Sequence, residues 1–289
     1  MQTNRRIIVL LLALVMALAG CAEGQKPADS VAEHGIVAKG PEGTRLSPVL
    51  DRILAKKELV VGTAAAMPPF NMMSKDGQII GFDADLAQYI SGSMEVKLTL
   101  RTMHFNDLIP ALEAGKVDMV LSGMTITPLR NLRVAFVGPY FVSGNSILLK
   151  RANAGSMKEL SQINSPDKVL VALKGSTSQL FAEKFLPKAK LLLSDDFDQG
   201  LAMLKEDKAQ AMIADFPFCL LSVYRYPEAG LATLNDPLFA EPLGIAIPAN
   251  DPLLMNWLQN FLSSMEKSGE LKMLTDKWVK DFSWLSRIR

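Results

Sequence analysis

The stretch Val117–Arg133 restricts the fold of this chain most, because it predicts a buried strand, a loop and a helix start in direct succession. Its first part, Val117–Leu121, is apolar apart from one aspartate, which is typical of a strand buried on both faces. Ser122-Gly123 breaks this run. Thr127-Pro128 then predicts a helix start, with a hydroxyl N-cap and a proline in the first turn.

Arg130 would lie in the first turn of that helix, where a cation opposes the helix macrodipole. A locally unfavourable residue is expected more often at functional sites than elsewhere. The loop also offers backbone N–H groups and the hydroxyls of Thr125 and Thr127. Loop and guanidinium together would form a socket suited to a carboxylate. A solvated arginine on a short helix is the alternative at this point.

Short apolar runs alternate with amphipathic segments from Leu59 to Phe282, which predicts an α/β fold with mostly parallel sheets. The predicted strands include Val96–Leu100, Val117–Leu121, Ser146–Leu149, Val169–Leu173 and Gln210–Ala214. The predicted helices include Asp85–Ile90, Phe105–Ala114, Ser178–Phe185, Phe197–Lys205 and Pro252–Met265. Roughly 225 residues are enough for two domains, and Gly144 and the segment 236–242 are the expected crossings between them.

Capping signals delimit the first and the last long helix. Ser47-Pro48 supplies an N-cap and a first-turn proline at the start of the folded part. Asn250 is the expected N-cap of the last long helix, and Gly269 follows its end. The apolar residues between these two positions repeat at three and four, which predicts a face packed on the core.

The N-terminal segment is typical of a secretory signal. Two arginines precede the apolar run Ile7–Gly20, which is too short to span a bilayer. The sequence Leu-Ala-Gly-Cys ending at Cys21 resembles a lipobox, so residues 1–20 are predicted as a signal peptide and Cys21 as a lipidated, palmitate-bearing anchor. An ordinary signal cleaved nearby is the alternative. Residues 21–46 lack apolar periodicity and are predicted to form a flexible tether.

Charge and residue counts exclude several classes of function. Without residues 1–20 the chain carries 29 basic and 30 acidic side chains, so nucleic acid is not an expected partner. Besides Cys21 the chain has one cysteine, Cys219, in an apolar segment, so no disulfide framework is expected. His34 and His104 are isolated and do not make a metal site. We expect neither metal nor cofactor.

Several ordered motifs resemble one family. The sequence S-G-M-T-I-T-P-x-R, which ends at Arg130, resembles the signature of family 3 solute-binding proteins, the extracytoplasmic amino-acid receptors of ABC importers. Further matching segments lie between about Leu59 and Phe282: P-P-F at 68–70, G-F-D-A-D-L-A at 81–87, L-I-P-A-L at 108–112, G-S-T at 175–177 and A-D at 214–215. The resemblance implies binding of a free amino acid and delivery to a permease.

The resemblance also implies a periplasmic-binding-protein-like type II fold, in which two α/β lobes are joined by a two-strand hinge. Lobe 1 would comprise residues 47–143 and 240–289, and lobe 2 residues 144–239. The protein would be a monomer outside the cytoplasm, held at the membrane by its N-terminal lipid.

The same resemblance assigns the ligand's carboxylate and ammonium groups to the two lobes. Arg130, together with the N–H groups of Thr125 and Arg130, would hold the carboxylate from lobe 1. Ser176 and Thr177 would bind it from lobe 2, although Ser176 also suits the N-cap of the following helix. Asp215 and the carbonyl of Gly123 would accept from the ammonium. Asp215 also suits an N-cap, since Pro217 follows two residues later.

The ligand's side chain would contact Phe105 and Met67 in this scheme. Members that select basic amino acids tend to carry an acid near position 64 and an aromatic residue near position 67. Ala64 and Met67 depart from both preferences, so we predict a neutral ligand side chain. Asp83 and Asp85, at a predicted helix start, are expected to cap the helix and complement its dipole rather than to act in catalysis.

A second class of function shares the fold. Cyclohexadienyl dehydratase keeps the carboxylate-binding arginine, and its chemistry requires a general acid in the cleft. Beyond Asp215 the sequence offers no clear candidate, because Glu241 is expected on the hinge. We therefore predict a binding protein without catalytic residues, with the dehydratase as the alternative.

Overall fold

The computed structural model describes residues 47–157 and 159–288. The predicted signal peptide 1–20, the predicted lipidation site Cys21 and the predicted tether 21–46 lie outside the described residues. Within the described ranges, none of the helices combines the length and apolar character needed to cross a membrane.

The strands of the described chain form one large sheet and one small one. They are β1 Glu58–Thr63, β2 Ala66–Met67, β3 Asn71–Met73, β4 Ile79–Ile80, β5 Lys97–Thr102, β6 Met119–Val120, β7 Ala135–Lys150, β8 Val169–Leu173, β9 Lys190–Ser194, β10 Ala211–Asp215, β11 Leu231–Ala232 and β12 Ala240–Ile247.

Helices connect most of these strands, so the predicted α/β class is confirmed. They are α1 Pro48–Lys56, α2 Phe82–Ser93, α3 Leu108–Glu113, α4 Pro128–Asn131, α5 Arg151–Ala154, α6 Leu160–Ile163, α7 Thr177–Phe185, α8 Phe197–Lys205, α9 Phe216–Arg225, α10 Pro252–Ser268 and α11 Glu270–Thr275. The last of them continues into a π-helical turn, Asp276–Lys280.

The large sheet has the order β5-β1-β6-β12-β7-β10-β8-β9, with β11 beside β7. Strands β5, β1 and β6 are parallel at one end, and β10, β8 and β9 are parallel at the other. The central strands β12 and β7 are antiparallel to each other and to their outer neighbours. The fold therefore consists of two parallel halves joined through an antiparallel centre.

Strand β7 carries the chain from one half to the other. Residues 135–144 pair with β12, and residues 145–150 pair with β10 and β11. The sequence predicted a strand only over 146–149, because Pro139 and Gly144 interrupt the apolar pattern. The change of pairing partner between Gly144 and Asn145 lies at the predicted hinge. The exact lobe boundaries remain a prediction, and we use them below as a working division.

Two local predictions need correction. Strand β6, Met119–Val120, is shorter than the predicted run 117–121, and the Asp118 carboxylate beside it accepts the Val60 N–H at 2.8 Å. The N-cap of α10 is Asp251, not Asn250. The same carboxylate accepts N–H groups of Val49 and Leu50, so one buried aspartate caps both α10 and α1.

Two clusters of buried apolar side chains hold the sheet and helices together. The larger cluster contains the predicted apolar face of α10, with Leu254, Leu258, Leu262 and Met265 buried. A smaller cluster lies in the second half of the sheet around β8, β10 and α7. Burial of this kind is the main driving force for folding.

Candidate functional site

The predicted site residues lie just beyond the carboxyl ends of strands, where α/β proteins bind ligands. In lobe 1, β5 leads to Phe105, β6 leads to Gly123 and Thr125, and β1 leads to the short strand β2, which ends at Met67. In lobe 2, β8 leads to Ser176 and Thr177, and β10 ends at Asp215. The topology thus brings these two edges together in one cleft.

Arg130 projects from α4, whose start is the predicted one. Thr127 is the N-cap, and its hydroxyl oxygen accepts the Arg130 N–H at 3.2 Å. The guanidinium donates from Nη1 to the carbonyl of Thr125 at 2.8 Å and from Nη2 to the carbonyl of Gly175 at 3.1 Å. The second bond crosses from lobe 1 to lobe 2, so Arg130 ties the two walls of the cleft together.

The environment of Arg130 is dominated by burial and by two carboxylates. Burial lowers its pKa to about 10, while the charges of Glu241 and Asp215 act in the opposite direction. The guanidinium carbon lies 5.5 Å from the centre of the Phe105 ring, within cation–π range. Arg130 therefore stays charged at neutral pH.

Asp215 is the last residue of β10 and belongs to lobe 2. It occupies the N-cap position of α9, but its side chain makes no capping hydrogen bond, so the structure does not favour the capping alternative. The residue is 7% exposed. Its carboxyl pKa is raised well above the ordinary value, first by burial and then by the like charge of Glu241.

Glu241 is the residue that sequence reasoning missed in this cleft. It lies on hinge strand β12, as expected, but its side chain is only 3% exposed. Oε1 accepts from Asn145 Nδ2 at 3.0 Å, whereas Oε2 has no hydrogen-bond partner within the described residues. The signal available in the sequence was one glutamate within an otherwise apolar strand.

Asn145 bonds Glu241 and Thr177 through its side chain and lies opposite Asp215 through its backbone. It pairs with Asp215 across β7 and β10, and its Nδ2 also lies 3.4 Å from Thr177 Oγ1. Burial raises the pKa of Glu241, and the Thr177 hydroxyl and Arg130 partly offset this. Arg130, Thr177, Asp215 and Glu241 therefore form one electrostatic cluster, which we call the cleft cluster.

The predicted carboxylate contacts from the two loops have unequal support. Thr125 N–H has no hydrogen-bond acceptor in the described part of the chain, whereas Arg130 N–H is taken by Thr127. The Ser176 hydroxyl accepts from Gln179 N–H at 3.1 Å and donates to the Leu173 carbonyl at 2.6 Å. The structure thus favours the capping alternative for Ser176 and a different use of the Arg130 N–H from the predicted one.

Gly123, in the loop after β6, lies against Met67, the last residue of β2. Gly123 has φ +58°, and a Cβ at this position would come within 2.5 Å of the Met67 sulfur. Glycine suits position 123 because of its left-handed backbone conformation, and a side chain there would also displace the end of Met67. Its N–H is not available to a ligand, because it donates to the carboxylate of Asp83 at 2.8 Å.

The Asp83 carboxylate holds this loop by a hydrogen bond instead of capping α2. The N-cap of α2 is Gly81, and the Asp83 carboxylate accepts from Tyr140 Oη, Asn71 Nδ2 and Gly123 N, each at 2.8 Å. Burial raises its pKa to about 6, although all three hydrogen bonds act to lower it. The expectation that Asp83 caps the helix was wrong, because tertiary donors occupy the side chain.

A cavity of about 280 Å³ lies between the lobes beside this loop. Lobe 1 lines it with Ala64, Ala66, Met67, Thr102, Met103, His104 and Phe105, and lobe 2 lines it with Leu173, Asp195, Asp196 and Phe197. Met67 and Phe105 were predicted to contact a ligand side chain. The two aspartates of lobe 2 were not predicted, since the β9–α8 loop carries no recognisable motif.

Asp195 and Asp196 differ in their engagement. The Asp196 carboxylate accepts Gln199 N–H at 2.7 Å as the N-cap of α8. Asp195 is exposed, and its carboxylate has no hydrogen-bond or ion-pair partner in the part of the chain described here. No group of three or more His, Cys, Asp or Glu side chains within the described ranges is placed to hold a metal ion.

The comparison with known proteins identifies the family. Residues 59–281 match the family described as bacterial extracellular solute-binding proteins, family 3. The chain belongs to this family. As a family 3 solute-binding protein it is 28% identical over 227 residues to the ABC transporter arginine-binding protein 1 of Escherichia coli (strain K12), covering 78% of this chain and 91% of that protein.

Other relatives include both binding proteins and an enzyme. The solved structure of an ancestral amino-acid-binding protein, a precursor of cyclohexadienyl dehydratase, has a TM-score of 0.74 and 37% identity, and covers 80% of this chain and 99% of that chain. The cyclohexadienyl dehydratase of Pseudomonas aeruginosa is 26% identical over 235 residues, 81% of this chain and 87% of the enzyme. The predicted type II fold is therefore confirmed.

Proposed function

We propose that this protein is the amino-acid receptor of an ABC importer. The observation that carries the proposal is the cleft cluster, in which a partly buried arginine of lobe 1 lies within electrostatic range of a buried aspartate of lobe 2. A zwitterion presents one anionic and one cationic group to such a pair. Arg130 would hold the ligand's carboxylate, helped by Thr125 N–H and Thr177, and Asp215 would hold the ammonium.

Binding in such a cleft is coupled to closure of the lobes. Arg130 and Asp215 are on different lobes, so only the closed form satisfies both ends of a zwitterion. The Arg130–Gly175 bond already joins the two walls. We propose that the chain bends around 142–145 and 237–242, which are the crossings between the working lobes.

A thermal-shift screen with the free amino acids tests the proposal, because a ligand that binds only the native state raises its stability by mass action. We expect at least one amino acid to raise the melting temperature, and calorimetry to give one site per chain. Scattering with and without that amino acid should give a smaller radius of gyration when it is bound. A screen in which no amino acid stabilises the protein would contradict the receptor.

Two expectations compete for the ligand's side chain. The neutral preference stays a prediction, and its basis is the lack of an acid in the loop Ala64–Met67. Asp195, on the opposite wall of the cavity, supplies an anionic group that the loop lacks. The arginine-binding relative supports a basic ligand side chain over a neutral one. We propose that a basic side chain is accepted, with Asp195 as its partner, and the screen ranks basic against neutral amino acids.

A dehydratase is the second candidate, and one observation favours it. Glu241 is a buried carboxyl group with a raised pKa close to Arg130, as a general acid would require. Incubation with prephenate and with arogenate, followed by detection of the aromatic product, tests this candidate. Turnover that disappears in Glu241→Gln would support the enzyme. If neither compound is turned over, the receptor remains the supported function.

The lipid anchor and the monomeric state complete the proposal. We propose that Cys21 is acylated and that residues 21–46 tether the domain to the membrane outside the cytoplasm. Several chains on one cysteine give a stable anchor, whereas one chain gives marginal binding. Cys21→Ser should therefore move the protein to the soluble extracytoplasmic fraction. A serine variant that still sediments with membranes would exclude the anchor, and light scattering gives the oligomeric state.

A further inference from the structure

A second cavity, of about 200 Å³, lies beside the hinge, and its described lining residues are all different from those of the cleft cavity. Lobe 1 lines it with Val279 and Phe282, and lobe 2 lines it with four residues of α9 between 216 and 221. Residues 141–144 of β7 and Pro237 bring both crossings to its wall. The cavity therefore touches both lobes and both crossings, and we call it the hinge cavity.

The hinge cavity differs from the cleft cavity in its chemistry. The described residues that line it include no charged side chain, whereas Asp195 and Asp196 line the cleft cavity. Phe141, Phe216 and Phe282 are among its lining residues. Such a cavity excludes ions and zwitterions, because the burial of an uncompensated charge is costly. An amino acid is therefore not the ligand that this cavity suits.

Ser143 is the one lining residue of the described chain that brings a polar side chain to the hinge cavity. The residue is 7% exposed, and its hydroxyl oxygen is buried without a hydrogen-bond partner among the described residues. It lies opposite Glu241 on β12, and this pairing does not satisfy the hydroxyl. A buried hydroxyl without a partner is costly. A ligand with one N–H or O–H group would remove that cost.

We propose that the hinge cavity is a second binding site, for a small uncharged molecule with one aromatic ring and one N–H or O–H group. An apolar cavity of roughly 150 Å³ holds a benzene molecule, so the hinge cavity admits one substituted ring. The ring would pack among the three phenylalanines, since aromatic pairs favour offset and edge contacts. The polar group would bond to the Ser143 hydroxyl.

An occupant of the hinge cavity would also act on the lobes, because its walls belong to both of them. Phe282, which lines the cavity from lobe 1, stacks on Tyr224 of α9 in lobe 2, with ring centroids 5.4 Å apart. A molecule that fits this arrangement stabilises it against arrangements with separated lobes.

The same arrangement contains the Arg130–Gly175 bond between the walls of the cleft. The molecule in the hinge cavity and an amino acid in the cleft should therefore each favour the binding of the other. This coupling rests on the proposed receptor function, whereas the site itself does not.

Titration with p-cresol, followed by methyl NMR, tests the site. The methyl groups of Leu220, Leu221 and Val279 should shift, because these residues line the hinge cavity. Those of Leu254 and Leu258, which are buried in α10 and do not line it, should not shift. Shifts that are absent at millimolar p-cresol, or that appear at other residues instead, overturn the site.

Two molecules of similar size test the assigned chemistry. Toluene lacks the hydroxyl group, and 4-methylcyclohexanol lacks the aromatic ring. We expect p-cresol to bind more tightly than either of them, and 4-hydroxybenzoate, which carries a carboxylate, not to bind. Equal affinity for p-cresol and for both comparators would overturn the proposed class of ligand.

Variants of two lining residues sharpen the test. Ser143→Ala should weaken p-cresol binding by roughly 2- to 10-fold, as expected for one neutral hydrogen bond, and leave toluene binding unchanged. Leu220→Trp should fill the cavity and abolish binding of both. Leu253→Trp is its matched control, since Leu253 is 46% exposed against 45% for Leu220 and lies on α10. If Ser143→Ala does not fold, Leu220→Trp still decides the question.

Calorimetry with the stabilising amino acid, with and without p-cresol, tests the coupling. Saturating p-cresol should raise the affinity for the amino acid by roughly 5-fold. The increase should vanish in Leu220→Trp and persist in Leu253→Trp. Unchanged affinity overturns the coupling. Failure of every amino acid to bind defeats the receptor and the coupling with it, whereas the NMR titration still decides the site.

Discussion

Two buried acidic regions lie within the walls of the same cleft, and they differ in the hydrogen bonds that their carboxylates receive. Asp83, in lobe 1, receives three hydrogen bonds of 2.8 Å from Tyr140, Asn71 and Gly123. The second region contains Asp215 in lobe 2 and Glu241 on the hinge strand. Oε2 of Glu241 is buried and has no hydrogen-bond partner in the described residues. Burial raises the pKa in both regions.

The difference separates a buried carboxylate whose oxygens receive hydrogen bonds from the protein from one that keeps an oxygen without a donor. Donors of the protein itself saturate Asp83, so this carboxylate can hold the loop at Gly123 in one position without any ligand. Glu241 keeps one buried oxygen without a donor in the described residues. A buried acceptor is costly when no hydrogen bond compensates it.

Removal of a charge from the cleft cluster should give the largest effect. Arg130→Ala and Asp215→Ala should each cost roughly 2–5 kcal/mol of binding free energy, because a ligand charge is left buried without a partner. This is a loss of affinity from about 30-fold to several thousand-fold. Calorimetry with the stabilising amino acid measures it.

Arg130→Lys serves as the conservative control for this prediction. A lysine keeps the charge but not the planar fork, so it should bind nearly as poorly as alanine. The melting temperature without ligand should change little, since neither side chain supplies apolar core. Wild-type affinity in Arg130→Ala would contradict the site.

Asp83 should show the opposite balance, with a large effect on stability. Asp83→Ala leaves three buried donors without an acceptor, and the free energy of unfolding should fall by at least about 1–3 kcal/mol. Chemical denaturation measures it, with Asp51→Asn as an exposed control on the same lobe. Tyr140→Phe removes only one donor and should cost less. A neutral Asp83→Ala would show that the network does not support the fold.

The pH dependence of stability sharpens the comparison further. The pKa of Asp83 is about 6 in the folded state against an ordinary value of 3.8, so the folded protein binds the proton more tightly. The stability from this group is fully present below the unfolded pKa and is lost as pH rises through about 6. The slope is at most about 1.4 kcal/mol per pH unit.

Comparison with Asp83→Asn isolates this contribution, because Asp215 and Glu241 also have raised pKa values and act with the same sign. The difference in unfolding free energy between wild type and variant should change most between the two pKa values. Parallel curves for the two proteins over that range would refute the assignment.

The smallest effect is expected at the rim of the cavity. Asp195 is exposed, so its contribution to binding a basic side chain should be no more than about 1 kcal/mol, up to roughly 5-fold in affinity. Asp195→Asn should weaken arginine or lysine binding and leave neutral amino acids unchanged. Asp51→Asn is the control. Equal losses for both ligand classes would argue against a role in selection.

Local patterns were sufficient for the fold class, and the family resemblance supplied the candidate site residues. The alternation of apolar runs and amphipathic segments predicted α/β, and Thr127 caps α4 as predicted. Arg130, Thr177 and Asp215 were predicted from motifs, and the structure brings them together. These features depend on residues that are neighbours in the chain, such as a cap, a loop and a strand end.

The remaining features depend on pairings between distant parts of the chain. Asp251 accepts the N–H of Leu50 in α1, 201 residues earlier in the chain. Asp83 accepts the N–H of Gly123, 40 residues later. Glu241 enters the cleft because β12 pairs with β7 at the hinge. No local periodicity distinguishes a buried donor or acceptor from an exposed one at such positions.

The sequence by itself therefore determined the α/β class, the strand ends at the cleft, and the positions of Arg130 and Asp215 beside those ends. Only the tertiary structure decided which other charges join them. Burial and repulsion between charges depend on distances in the folded protein. Those distances are set by how the two lobes pack, which no single stretch of the sequence specifies.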